Sequence, residues 1–139
     1  MKRLICALLL AGLLAASASA LAEARLAEAT MIYEDYDGNH SDWTVNDDDE
    51  LKELADMLMR AKKNKAQLEN CTMNCTLLCK VDEENIIDFA VATDGCRYIT
   101  DMDHDATYQL SEEDWDRLWE LFEQVQEAMG YDAALVLDW

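Results

Sequence analysis

Apolar residues recur with helical period over residues 111–130, where Trp115, Leu118, Trp119, Phe122, Val125 and Met129 fall at i, i+3, i+4, i+7, i+10 and i+14. That is the stripe of a helix buried along one side. Ser111 stands before it as N-cap and forms a capping box with Asp114, Leu110 and Trp115 are placed as a hydrophobic staple, and Gly130 supplies the stop at C′. A second helix is predicted over 47–64. Asp47 and Glu50 form its box, and Leu51, Leu54, Ala55, Leu58 and Ala61 form its apolar face. Acidic residues crowd its first turn, while Arg60, Lys62, Lys63 and Lys65 lie near its last, as the macrodipole favours. The same cations also offer a docking spot for an anion.

Between these helices the period changes from 3.6 to 2 or to continuous apolar runs. Residues 75–81 and 86–93 read as a hairpin joined by Asp82-Glu83-Glu84-Asn85. Pairing Val81 with Ile86 makes facing residue numbers sum to 167. One face then carries Leu78, Ile87, Phe89 and Val91, and the other Cys75, Leu77, Cys79, Val81, Ile86 and Ala90. The helices belong on the first face. The second awaits a cover from the tail at 133–137 or is a binding surface, with Leu77, Val81 and Ile86 as interaction residues. Residues 30–36 predict an earlier strand, 37–42 a turn, 43–45 a short extended stretch, and 96–100 and 107–110 two further strands. The expected fold is therefore α+β, a small antiparallel meander of three to five strands packed on two amphipathic helices as a two-layer sandwich. With no proline and four glycines in 139 residues, one domain over 30–139 is expected, preceded by a mobile leader or short helix at 21–29.

The first twenty residues follow a different logic. Lys2 and Arg3, an apolar run over 4–16 and the small residues Ala18-Ser19-Ala20 read as a secretory signal peptide. The expected location is therefore exported, either secreted or in the periplasmic or cell-envelope space. The apolar run is too short to cross a bilayer, so no membrane span is expected after cleavage. Losing Lys2 and Arg3 leaves nine basic residues against 30 acidic ones, a net charge of about −21 at pH 7. A field of that sign excludes nucleic acid as a partner and favours a protein or cell-envelope component carrying basic groups.

Of the five cysteines, Cys6 lies in the apolar leader, and Cys71, Cys75, Cys79 and Cys96 remain. An even set in an exported chain points to disulfides. On a helix, Cys71, Cys75 and Cys79 would share a face and, with Cys96, offer four thiolates to zinc or an iron–sulfur cluster. The sequence there prefers a strand, however, in which residues four apart are about 13 Å from each other. That distance also excludes a Cys75–Cys79 bond, because disulfide Cα atoms lie within about 7 Å. Extending the hairpin instead brings Cys96 toward Cys71, with Cys75 next along the strand, so the expected bond joins Cys96 to Cys71 or Cys75.

Oxygen chemistry gathers at residues 101–112, where Asp101, Asp103, Asp105 and Glu112 occupy positions 1, 3, 5 and 12 of an EF-hand-like loop. Hard carboxylate oxygens at alternate positions suit calcium, so a weakly calcium-binding domain is the alternative function. Ala106 stands where the sharp turn of such a loop asks for glycine, and a strand rather than a helix leads in. No other cofactor is expected. His40 and His104 lie in predicted turns outside any nucleophile setting, and no phosphate-loop glycine pattern occurs. The expectation is a domain that is not an enzyme.

The run Ala92-Thr93-Asp94-Gly95-Cys96, a tyrosine-bearing hairpin, and Leu110-Ser111-Glu112-Glu113-Asp114-Trp115 leading into Leu118-Trp119-Glu120-Leu121-Phe122 carry a likeness. Over residues 44–125 the chain resembles small uncharacterised exported domains of Gram-positive bacteria. The resemblance implies the fold and export. It also implies a cysteine ahead of the first meander strand, Cys71 or Cys75 here, matched to the Thr-Asp-x-Cys cysteine. The chain departs from that pattern in its Asp-Glu-Glu-Asn turn and its two extra cysteines. The function expected is an exported, non-catalytic interaction domain, strongly acidic and disulfide-stabilised.

Overall fold

A computed structural model describes residues 25–35, 37–64 and 71–130. The expected signal peptide and the tail at 133–137 lie outside the described residues. The architecture is α+β. Its sheet is larger than the three to five strands expected, and three helices stand among the described residues where two were expected. The strands are β1 (Glu28–Glu34), β2 (His40–Val45), β3 (Lys62–Lys63), β4 (Cys75–Lys80), β5 (Ile86–Val91), β6 (Tyr98–Asp101) and β7 (Ala106–Gln109). All seven pair antiparallel in the order β2-β1-β4-β5-β6-β7-β3. Helix α1 (Asp48–Arg60) carries the chain from one edge of the sheet to the other, and α2 (Glu112–Leu121) and α3 (Glu123–Ala128) follow the last strand.

Helix α1 starts as its sequence dictates, with the Asp47 carboxylate accepting from the amides of Asp49 (3.0 Å) and Glu50 (3.1 Å). It ends four residues before the expected stop. Ala61 is extended at ψ 136°, and Lys62 and Lys63 pair with Gln109 and Tyr108. The Asn64 amide then donates to the Thr107 carbonyl at 2.8 Å. A new edge strand satisfies these backbone groups in place of another helical turn.

The second helical segment keeps its predicted cap and face but not its continuity. Ser111 Oγ accepts from the Asp114 amide at 3.1 Å, and the staple residues Leu110 and Trp115 are both buried. At Phe122 the backbone leaves the helix (φ −117°, ψ 36°), and the chain resumes as α3, whose axis lies against β1 and β2. Both Phe122 and Val125 are fully buried, and the bend lets them reach one core. Gly130 closes the segment at φ +69°, the left-handed region that favours glycine at this position.

The hairpin corrects the expected register by one residue. Cys75 faces Val91, Leu77 faces Phe89 and Cys79 faces Ile87, so facing numbers sum to 166. The Asp82 carboxylate is the cause. It accepts from the amides of Glu84 and Asn85 and from the Asn85 side chain, and the Val81 amide donates to the Asn85 carbonyl. Val81 is thereby drawn into the connection, and Lys80 rather than Val81 pairs near its mouth, with Ile86. A one-residue slip carries every β4 side chain to the other face, while β5 keeps Ile87, Phe89 and Val91 toward the helices as expected. Ala29 and Met31 of β1, Cys75, Leu77 and Cys79 of β4, Phe89 and Val91 of β5 and Ile99 of β6 now share one buried face. Leu51, Leu54, Met57, Leu118, Phe122 and Val125 of the helices complete that core.

Two other boundaries move. Leu26 is 2% exposed, the Ala27 amide donates to the Lys80 carbonyl, and Glu28 and Ala29 are already strand, so the leader ends earlier than residue 29. The turn predicted over 37–42 is confined to its first part, because Asp35 accepts from the amides of Asp37 and Asn39 while His40, Ser41 and Asp42 pair along β1. Guanidinium groups tie α1 to α2. Arg60 meets Asp114 through Nε (3.2 Å) and Nη2 (2.5 Å), and Arg117 meets Glu53 through Nε (2.8 Å) and Nη2 (2.9 Å). No described helix is long and apolar enough to cross a membrane.

Candidate functional site

The face of the sheet turned away from the helices is built by the residues between the buried ones. Thr30, Ile32, Thr44, Thr76, Leu78, Ala90 and Thr107 are all partly exposed, and Thr100 alone of this set is buried, at 8%. Threonine hydroxyls pair across neighbouring strands, Thr30 with Thr44 (2.8 Å) and Thr100 with Thr107 (3.1 Å). β-Branched side chains suit a pleated surface, and the paired hydroxyls leave it polar and flat.

Toward the free ends of β5 and β6 the face becomes apolar. Leu78 pairs with Asp88, and the Met102 amide donates to the Asp88 carbonyl at 2.9 Å, which brings Met102 beside it. Ile86 is 51% and Met102 57% exposed, two of the most exposed large apolar side chains of the described residues. Asp88 sits among them. Burial pushes its carboxyl above the usual carboxylate range, and the charges of Asp103 and Asp101 push it the same way. A carboxylate held among apolar groups and like charges is a place where an incoming cation relieves both effects.

Of the three residues expected to form an interaction surface, only Ile86 stands on this face. Leu77 is fully buried under the helices, and Val81 packs partly buried at the edge of the core. The one-residue register slip separates them. It also puts Leu78, assigned to the helix side on sequence, onto the open face.

The acidic loop has another architecture than the one its spacing suggests. Asp101, 2% exposed, accepts from the amides of Asp103 (3.0 Å) and His104 (3.1 Å), and its second oxygen meets His104 Nδ1 at 2.9 Å. It is the keystone of the β6–β7 turn, whose Asp105 takes φ +48°. Asp103 and Asp105 are exposed at the tip, while Glu112 opens α2 beyond the far end of β7. The four carboxylates do not converge. Among the described residues, the one trio of ligand atoms within 4.8 Å is Cys71, Asp94 and Cys96. Both sulfurs of that trio are bonded to each other, so neither offers the thiolate a metal needs.

The Cys71–Cys96 disulfide is one of the two pairings expected. It links the approach to β4 with the turn after β5, where Thr93 also donates its amide to the Thr72 carbonyl and Asp94 accepts from the Thr72 amide. Cys75 and Cys79 are free and buried against the helices. Burial pushes both thiols up to about 12, so they stay protonated and behave as small apolar groups. Cys75 Sγ lies 3.7 Å from Met129 Sδ, a soft contact between strand and helix.

At the opposite end of β6 and β7 lies a cavity of about 710 Å³ lined by Arg60, Lys62, Arg97, Gln109, Leu110, Ser111, Glu113 and Asp114. Sequence reading singled out Arg60 and Lys62 as a cationic cluster. Arg97 carried no local signal, because only the pairing of β6 with β7 brings it to the same place. Comparison with protein-family models, curated proteins and solved structures returns no match, so these surfaces are read from their own geometry.

Proposed function

We propose that the chain is an exported, non-catalytic binding domain in which helices cover one layer of the sheet and the open face engages a protein or cell-envelope component. The observation that carries this reading is the corner formed by Leu78, Ile86 and Met102 around Asp88. Exposed apolar groups supply the contact area, and the confined carboxylate selects a basic group on the partner. The acidity of the chain steers such a partner in at long range. The test is selection of binders to the folded protein from a random peptide library. Enriched peptides should pair an aliphatic or aromatic residue with lysine or arginine, and I86K and D88N should abolish their binding. Enrichment of peptides without cations, or binding indifferent to both substitutions, would refute the assignment of this face.

A further inference from the structure

We infer that the cavity at the start of α2 is a second binding site, independent of the sheet face, and that it takes a single carboxylate on a small organic body. The argument begins with charge pairing. Eight lysines and arginines fall among the described residues, and five of them, Arg25, Lys52, Arg60, Lys80 and Arg117, pair with carboxylates. Lys62, Lys63 and Arg97 have no carboxylate partner among the described residues, and two of these three line the same cavity. Acids outnumber bases by nearly three to one, so two unneutralised cations beside one concavity are the reverse of what random placement gives.

Both cations are placed by backbone pairing. Lys62 lies opposite Gln109 on β3, and the Arg97 carbonyl accepts from the Leu110 amide at 3.0 Å. The wall between them supplies neutral donors. Ser111 Oγ accepts from the Asp114 amide, which leaves its own hydroxyl proton free to donate, and the Gln109 amide group stands alongside. Arg60 is already engaged with Asp114, and Glu113 also lines the wall, so the cavity carries one net positive charge. That balance fits a monoanion, and the remaining carboxylates repel a multiply charged phosphate. Arg97 offers the planar fork that binds a carboxylate through two parallel hydrogen bonds, while Leu110 gives an apolar contact for the body of the ligand.

Nuclear magnetic resonance titration of the folded protein with benzoate tests the assignment, with benzamide and inorganic phosphate as comparison probes. A nine-atom fragment of ordinary efficiency binds with Kd of roughly 10 mM. Benzoate should give saturable shifts of the Ser111 amide, the Gln109 side-chain amide and Arg97 Nε–H. R97Q should weaken it by about tenfold or more, as loss of a charged bidentate contact requires. K62Q, which changes an exposed side chain and leaves the backbone pairing of β3 in place, should weaken it less with an unchanged melting temperature. Absence of saturable shifts, equal binding of benzamide, phosphate binding as tightly as benzoate, or indifference to both substitutions would each overturn the inference. None of these outcomes bears on the peptide selection that tests the sheet face.

Discussion

Removing the Cys71–Cys96 bond by a C71S/C96S double substitution is expected to lower stability without changing the fold. The bond closes a chain separation of 25 residues that contains the whole β4–β5 hairpin. On the chain-entropy relation, opening a loop of that size restores about 3.5 kcal/mol of freedom to the unfolded ensemble. For a domain of this size each kcal/mol corresponds to roughly 4–8 °C, so the melting temperature should fall by about 15 °C or more. The native segments stay near each other without the bond, because Thr93 and Asp94 still hold Thr72 and Asn74 through hydrogen bonds, so the loss is one of unfolded-state constraint. Thermal unfolding followed by circular dichroism, on the native protein with and without a thiol reductant and on the variant, measures it. The reduced native protein should melt with the variant, and C75S, which keeps the bond, should lose as much on reduction as the native protein. In a chain lacking the leader with Cys6, alkylation in denaturant without reduction should label two thiols, Cys75 and Cys79, and almost none in the folded protein, where both are buried. A fall of less than about 3 °C would refute the loop argument, and labelling of Cys71 or Cys96 in the unreduced chain would refute the pairing.

The hairpin register is checked by a contrast, since L77A should cost about 2–5 kcal/mol for a fully buried leucine while I86A should stay within about 0.5 kcal/mol; equal costs measured by urea unfolding would restore the alternative register. Asp88 gives a pH prediction. Its carboxyl is raised in the folded state, so its contribution is most favourable below the unfolded carboxylate range and is lost as pH rises through the folded value. D88N should therefore stabilise the protein at pH 7 by less than about 1 kcal/mol, and the two melting curves should converge near pH 3; a destabilised D88N at pH 7 would contradict the assigned environment. Because Asp101 is consumed by its own turn and the other three carboxylates stand apart, millimolar calcium should leave the melting temperature unchanged, and a saturable upward shift would revive the loop as a cation site. Expression in a host with a general secretion pathway should yield a mature chain beginning at Leu21 or close to it by intact mass, whereas a full-length chain retained in the cytosol would remove the basis for the exported reading.

The caps and apolar stripes made the helices legible, because Asp47, Ser111, Leu51 and Trp115 act within a turn or two of each other and their partners can be counted along the chain. What escaped depended on contacts across long separations. The end of α1 was set by Lys62 and Lys63 meeting β7, more than forty residues on. The break at Phe122 answers to the curvature of the core, which no periodicity carries. The Val81–Ile86 pairing failed for a local reason that a closer reading of Asp82 and Asn85 could have caught. Asx side chains that satisfy their own turn lengthen it by a residue, and one residue exchanges the two faces of the strand that leads into it. The acidic loop shows the same ambiguity, since alternating aspartates serve a hairpin turn as readily as an ion and Asp101 here serves the turn.

The distribution of charge explains why the two proposed binding surfaces have opposite sign. A domain carrying this excess of carboxylates is destabilised by its own field, and the few cations do most where they sit between elements. Arg25 reaches Asp48 at the start of α1, Arg60 reaches Asp114 at the start of α2, and Arg117 joins Glu53 across the helix pair. The guanidiniums hold Asp114 and Glu53 below the usual carboxylate range, so these contacts are intact at neutral pH and fail as the medium is acidified through those lowered values. With most of the cations drawn to the helix seam and its flank, Asp88, Asp101 and Asp103 dominate the far corner of the sheet, where Lys80, across from Ile86, is paired with Glu83. The proposed basic partner would find its lowest energy there, around an apolar contact. An anion, repelled from most of the surface, finds neutralising charge chiefly where Lys62 and Arg97 remain unspent beside the first turn of α2. Folding and recognition thus draw on the same small set of cations, and substituting Arg60 should weaken both, through the loss of the Asp114 contact and through the shape of the cavity wall it lines.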